Sequence, residues 1–349
     1  MNCECSTDGY CSRYKRHMGG RLREICAGIN VDLGTAAAFR EEWARKAGPV
    51  RSDEAIPLTL VTDQAPGDTV AMTAALYSLH NAYPGKYCTS VESPWPEVFE
   101  YNPYVSKAPG AEVRMHYPAI HKANERAIHF MQGWCEFLGM ALGIHVPLLT
   151  NRPILYFPNP TPPEEDFWVV CSGGKNDFTN KLWGQHNYQD VVNRLKGTVN
   201  FVQVGTDHQV LGNVESTVGK TSLRDLFNIV RRAKGVLCGV SLLMHVAAAL
   251  GKPAVVIAGG REPVAWNTYP KQHYLHTVGM LPCSPCWRAR VVPLGDGSGL
   301  DADTCERPVN STPTMLSRQM LPECMTLIKP STVADLISRY QSHQVPVAY

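Results

Sequence analysis

The sequence predicts an α/β protein built from two parallel-sheet units, and three observations carry that expectation. From about Ile56 onward short apolar runs alternate with helical patterns, the rhythm of parallel strands joined by crossover helices. The alternation is interrupted from Asn151 to Glu165 by Pro153, Pro158, Pro160, Pro162 and Pro163, a density that neither helix nor central strand tolerates. The chain has 349 residues, 44% hydrophobic and 18% charged, which is too long for one ordinary core and too apolar for wholesale disorder.

The elements follow in order. Residues 1–50 form a basic, cysteine-rich N-terminal segment with a helical pattern from Leu33 to Lys46, where Phe39 and Trp43 lie four apart. The first unit, 51–150, opens with an apolar strand from Pro57 to Thr62 and the turn Pro66-Gly67-Asp68. It continues with a helix from Thr69 to Tyr83, strands from Tyr87 to Val91 and near Val113, and a helix from Ala127 to Leu142. Residues 151–165 read as the linker. The second unit, 166–280, has strands at Trp168–Cys171, Asn200–Val204, Gly235–Val240 and Ala254–Ala258, with helices at Tyr188–Leu195, Leu223–Ala233 and Leu242–Leu250 between them. Beyond Leu281 the periodicity gives way to a cysteine-bearing, Pro/Gly-rich segment, 281–349, with a last helix from Thr332 to Tyr340. Two such units place a ligand cleft between them, outside the carboxyl ends of the strands.

No apolar run approaches the ~20 residues needed to cross a bilayer, and the start lacks an apolar stretch of signal-peptide type, so a cytoplasmic protein is expected. A net charge of +2 argues neither for nor against nucleic acid. Twelve cysteines without a secretion signal point to metal ligands rather than a disulfide framework.

Several loops carry chemistry. Gly67 lets the backbone pass close to a ligand, and Asp68 either caps the following helix or faces the cleft as a carboxylate. Cys171-Ser-Gly173-Gly174-Lys175 leaves a strand for a glycine turn, with Lys181 and Trp183 beyond it; backbone amides and a lysine in such a turn suit a phosphate. Ser241 is placed to cap a helix that carries Leu242, Leu243 and His245, and Gly259-Gly260-Arg261-Glu262 forms a second loop at the same sheet edge. Together the two loops look like a diphosphate cradle. Asp301-Ala302-Asp303 matches a metal-binding pair but lies away from any strand end. Gly219-Lys220-Thr221 fails as a phosphate loop because Val214 holds the first glycine position.

Asp68 in its Gly-Asp turn, Lys181 before Trp183, and the stretch from Leu226 to Pro263 with its Ser241…His245-Val-Ala-Ala-Ala-Leu-Gly-Lys-Pro253 core resemble glycosyltransferase family nine, the ADP-heptose:lipopolysaccharide heptosyltransferases. The likeness spans about residues 57–275. It implies a GT-B fold, two Rossmann-like domains facing a cleft, and inverting transfer of a sugar from a nucleotide-diphosphate sugar. It further implies Asp68 as general base, Lys181 as a cation for the donor phosphates, and Ser241, Leu242, Leu243 and His245 around the diphosphate. His116, His121 and Asn124 would face the acceptor or the donor sugar, and no catalytic divalent metal is expected. Where the family commonly has Asp-Ser/Thr-Gly, this chain has Val240-Ser241-Leu242, which is more like divergent, often phage-borne relatives with a cysteine-rich tail.

Cys283 and Cys286, two residues apart, with the distant Cys305 and Cys324, suit one closed tetrahedral site for zinc or iron. Cys3, Cys5, Cys11 and Cys26 are candidates for a second. Beside them Arg13, Lys15, Arg16, Arg21 and Arg23 run with no acidic residue between Arg13 and Arg23, either a solvated face or a nucleic-acid contact. The acceptor readings are therefore a DNA hydroxyl such as a 5-hydroxymethylated base, a lipopolysaccharide sugar, or a protein hydroxyl. A non-catalytic nucleic-acid-binding protein on the same fold is the reading from another class.

Overall fold

A computed structural model describes residues 10–11, 16–17, 55–116, 126–174, 178–206, 209–310 and 320–342. The chain forms two compact, discontinuous units: Met1–Gln64, Ala74–Pro94 and Pro103–Thr150 in one, Ala65–Thr73, Trp95–Asn102 and Asn151–Tyr349 in the other. The turn bearing Asp68 thus belongs with the second unit, although in sequence it sits among the elements of the first. Among the described residues no helix is long and apolar enough to cross a membrane.

The first unit is built on a three-stranded parallel sheet of β1 (Ile56–Val61), β2 (Tyr87–Glu92) and β3 (Ala111–Arg114), with β1 in the centre. Helix α1 (Pro66–Ala82) follows β1, and α2 (Phe130–Leu142) follows β3. Leu58 and Leu60 of β1 and Ala75, Leu76 and Leu79 of α1 are among its buried core residues. Helix α2 begins where the His129 ring accepts the Met131 amide and ends at Gly143 in the left-handed region, a start and stop that its sequence supplies.

The second unit holds a six-stranded, all-parallel sheet. Its strands are β4 (Trp168–Cys171), β5 (Phe201–Gln203), β6 (Glu215–Ser216), β7 (Gly235–Gly239), β8 (Ala254–Gly259) and β9 (Gln272–His276). The order across the sheet is β9-β8-β7-β4-β5-β6, so the strand order, not the strand direction, reverses between β4 and β7. That reversal opens a crevice at the carboxyl ends of those two strands, where α/β proteins bind ligands. The intervening helices are α3 (Gln185–Arg194), α4 (Leu223–Arg232) and α5 (Leu242–Ala249). Strand β8 is buried along its whole length, which accounts for its unbroken apolar run.

The proline-dense segment is not a free tether. Arg231 donates to the carbonyls of Asn159 (2.9 Å) and Pro160 (2.8 Å) and stacks 4.0 Å above Phe157, while Arg224 donates to the Tyr156 carbonyl. The extended chain, unable to pair as a strand, is bonded instead to helix α4. Helix α6 (Val264–Asn267) precedes β9, α7 (Glu323–Thr326) follows the antiparallel pair β10 (Pro308–Asn310) and β11 (Met320–Pro322), and α8 (Pro330–Gln341) is the last described helix. Helix α8 packs on the sheet through Val333 and Ile337, in one core with Trp168, Trp183 and Tyr188.

Candidate active site

The crevice is lined from both sides by the residues that leave β4 and β7. Beyond β7 the chain passes Ser241 into α5. Ser241 occupies the capping position, but its hydroxyl donates to the Gly239 carbonyl (3.3 Å) and caps no helix amide. The expected cap is thereby corrected: the Ser241 side chain bonds none of the first amides of α5. Pro66-Gly67-Asp68 lies against this helix start. A Cβ on Gly67 would stand 3.1 Å from the His245 ring and 3.2–3.3 Å from the Leu242 backbone, so glycine is what allows the approach.

Asp68, half buried in the first turn of α1, completes the cluster. The His245 Nδ1 is 2.7 Å from the Tyr269 hydroxyl, and both residues are buried. Burial pushes the Tyr269 phenol well above its ordinary range, and the nearby Asp68 charge pushes it further. Asp68, His245 and Tyr269 therefore form one group at the helix start.

A second group lies at the end of the Thr179–Lys181 turn. The Lys181 ammonium is 2.7 Å from Glu262, whose side chain is 2% exposed against 29% for the lysine. Arg261 and Asn267 also bond Glu262. Burial alone would raise this carboxyl; the Lys181 and Arg261 charges outweigh it and hold it below its usual range.

At Gly259–Glu262 the chain packs against the segment that follows Leu281. Gly259 has φ +64°, with Met325 Sδ 2.6 Å from where its Cβ would be, and a Cβ on Gly260 would meet Ser284 Oγ at 2.7 Å. These glycines admit the cysteine-bearing segment. Arg261 is buried and donates to the Arg288 and Trp287 carbonyls, so it braces the same segment rather than facing a ligand. Leu243 is likewise a core residue, 2% exposed, and contributes only backbone to the helix start.

Gly173 and Gly174 follow β4 at the crevice, and His116 is exposed just past β3. Lys175, His121 and Asn124 lie outside the described residues, as do Cys3, Cys5 and Cys26; of Cys11 only the strand backbone is described. Asp301 is occupied structurally, accepting the Leu294 (2.8 Å) and Gly295 (2.9 Å) amides and pairing with the buried Arg290. Cys283, Cys286, Cys305 and Cys324 are free thiols lining one small cavity. Burial raises Cys324 to about 11, the Gly260 amide opposes this, and the other three cysteines add to the rise. Among the described residues no three His, Cys, Asp or Glu side chains are grouped closely enough to hold a metal ion. The four thiols thus share a cavity without standing at ligating distances. Tyr269, Asn180 and Asn267 were not signalled by the sequence, since a tyrosine before a proline and two isolated asparagines match no motif.

Residues 159–292 match the family model described as glycosyltransferase family 9 (heptosyltransferase). No curated protein matches the chain in sequence. Among solved structures it is similar to TibC, an iron-containing dodecameric glycosyltransferase from enterotoxigenic E. coli H10407, at TM-score 0.58 and 16% identity over 84% of this chain and 78% of that one. It is similar to a family 9 glycosyltransferase from Veillonella parvula (TM-score 0.53, 13% identity, 82% and 97% covered). The third is E. coli ADP-heptose lps heptosyltransferase II (TM-score 0.51, 13% identity, 83% and 99% covered). These likenesses give the fold, and the match to the glycosyltransferase family 9 (heptosyltransferase) model, over residues 159–292, falls on the sheet that bears the crevice: the chain is a glycosyltransferase.

Proposed function

We propose that the protein moves a sugar from a nucleotide-diphosphate sugar to an acceptor hydroxyl with inversion at the anomeric carbon. The observation that carries this reading is the Asp68 carboxylate, held beside the start of α5 and the His245–Tyr269 pair. In the reaction Asp68 takes the proton of the acceptor hydroxyl, and that oxygen attacks the anomeric carbon from the face opposite the diphosphate. The bond to the diphosphate oxygen breaks, and the nucleoside diphosphate leaves with the electron pair. The α5 amides and Lys181 supply positive potential for that leaving charge. Lys181 is the one cation that this reading assigns to the diphosphate, and the reading invokes no catalytic divalent metal.

TibC has been solved with ADP-D-β-D-heptose, and another similar structure is an ADP-heptose lps heptosyltransferase, so ADP-heptose and a lipopolysaccharide sugar are the first substrates to test. A protein hydroxyl is the second acceptor. The basic run that motivates a DNA acceptor lies outside the described side chains, and hydroxymethylated DNA enters only as a comparison. TibC contains iron, and the four free cysteines around one cavity carry the donor chemistry of a structural zinc or iron site, for which their thiols would draw together. Cys283, Cys286, Cys305 and Cys324 would hold it, and its contribution would be order in the segment rather than chemistry.

The test is a screen of ADP-, UDP- and GDP-sugars against these acceptors in the presence of a chelator, read by mass spectrometry. Asp68→Asn should slow transfer by about 10²–10⁴-fold. Ordinary turnover by Asp68→Asn, or a strict need for added magnesium or manganese, would overturn the mechanism.

A further inference from the structure

We propose that the cysteine-bearing segment sets the position of Lys181, with Asn180, Arg261 and Glu262 as the positioning residues that connect them. This rests on the reading of Lys181 as the cation for the donor phosphates.

The backbone of the Lys181 turn is bonded to one stretch, Cys286 to Val291. The Asn180 amide N–H donates to the Ala289 carbonyl (3.1 Å), and the Val291 N–H donates to the Thr179 hydroxyl (3.0 Å). The Asn180 side chain donates to the Arg288 carbonyl (3.2 Å) and reaches Cys286 Sγ (3.7 Å).

The far end of the lysine is fixed from the same stretch. Its ammonium meets Glu262 at 2.7 Å, and Glu262 is bonded in turn by Arg261. Arg261 donates to the Arg288 carbonyl through Nε (2.6 Å) and to the Trp287 carbonyl (3.2 Å), with its guanidinium 4.2 Å from the Trp287 ring centre. Both ends of Lys181 therefore refer to residues 286–291, which begin at a cavity cysteine. Glu262 is closed off while Lys181 stays partly open, so the pair has one accessible side, and it is the cation's.

A lysine stem carries much rotamer freedom. Fixing the side chain in advance removes that cost from ligand binding, the general benefit of preorganisation. A disturbance of the cysteine cavity should then reach nucleotide binding through Lys181 without any residue of the cavity touching the nucleotide.

The experiment is a double-mutant cycle on the full chain, read by calorimetric titration. The probe is whichever of ADP, UDP, GDP, CDP and dTDP binds the unsubstituted protein most tightly. Lys181→Met should weaken binding. Glu262→Gln should weaken it roughly tenfold, the scale of one bond to a charged group, and Asn180→Ala, whose bond is to a neutral carbonyl, by about fivefold. In the Lys181→Met background the same two substitutions should change nothing beyond about twofold, because their effect runs through the missing ammonium. Equal weakening in both backgrounds overturns the positioning role and leaves the donor reading standing. Unchanged binding by Lys181→Met, or no nucleotide bound by the unsubstituted chain, overturns the donor reading and this inference with it. Melting curves report folding, and Asn180→Ala, outside the buried ion pair, keeps the cycle usable if Glu262→Gln does not fold.

Discussion

Tyr269 and Gly259 illustrate how differently single residues serve this molecule. Tyr269 is buried with its hydroxyl on His245, so Tyr269→Phe leaves a buried ring nitrogen without that partner. The expected cost is about 1–3 kcal/mol in denaturant midpoints, with slower transfer because the His245 ring beside Gly67 is no longer oriented. A variant with unchanged stability and turnover would remove Tyr269 from the site. Gly259 has a left-handed φ of +64° and a sulfur 2.6 Å from its missing Cβ. Gly259→Ala should therefore destabilise the protein by about 1–3 kcal/mol, the range for backbone strain and overpacking; a neutral alanine would refute both causes. Sequence reasoning could name Gly67, Asp68, Lys181 and His245 because each sits at a strand-to-helix turn or in a recognisable segment. It could not foresee what Gly259 and Arg261 pack against, since a glycine that admits a phosphate and one that admits a methionine look alike until the partner is in place.

At the scale of elements, the long buried strands and amphipathic helices were legible because their periodicity extends over enough residues. Strand β6 has two residues and β9 carries Gln272, His273 and His276, so neither shows an apolar run, and both were invisible before their neighbours were known. The first unit makes a pH-dependent prediction. Burial lowers His80 at the end of α1 and His129 at the start of α2, each to about 4 from 6.5. The unfolded chain therefore binds more protons than the folded one between about 6.5 and 4. Stability contributed by these histidines is fully present above that window and falls as pH drops through it, by up to about 1.4 kcal/mol per pH unit for each. Urea midpoints measured from pH 7.5 to 4.5 should show the decline, and His129→Asn, which keeps a capping side chain, should make it shallower. A midpoint independent of pH over that range would contradict it. On the second unit, Arg231→Lys keeps the charge but loses the forked contact to Asn159 and Pro160 and the stack on Phe157. Its expected sign is earlier proteolytic cleavage within 151–165.

Across the whole molecule, the two parallel sheets were predictable because alternation alone requires crossover connections, whereas the grouping of Asp68 with the second sheet depends on contacts far apart in sequence. The cysteine-bearing segment is the clearest case of order that periodicity does not explain. Between Leu281 and Met320 the described secondary structure is limited to a short helical turn at Gly299–Ala302 and strand β10. Yet this segment reaches β8 through Gly260, the Lys181 turn through Asn180, and α7 through Cys324. An ion held by Cys283, Cys286, Cys305 and Cys324 would bind only the folded arrangement, so its binding free energy would add to folding. Elemental analysis of the purified chain should find about one zinc or iron per molecule, and Cys283→Ser should lower that occupancy. Removing the metal with a strong chelator should then depress the melting temperature by several degrees, roughly 2–4 °C for each kcal/mol lost in a chain of this size or somewhat less. The loss should be largest where the segment touches, so hydrogen exchange should accelerate in α7 and around Gly260 before it does in β1 or α1. Metal-free protein with full stability, or a Cys283–Cys286 disulfide in freshly prepared material, would show that packing against Met325 and Arg261 orders the segment without an ion.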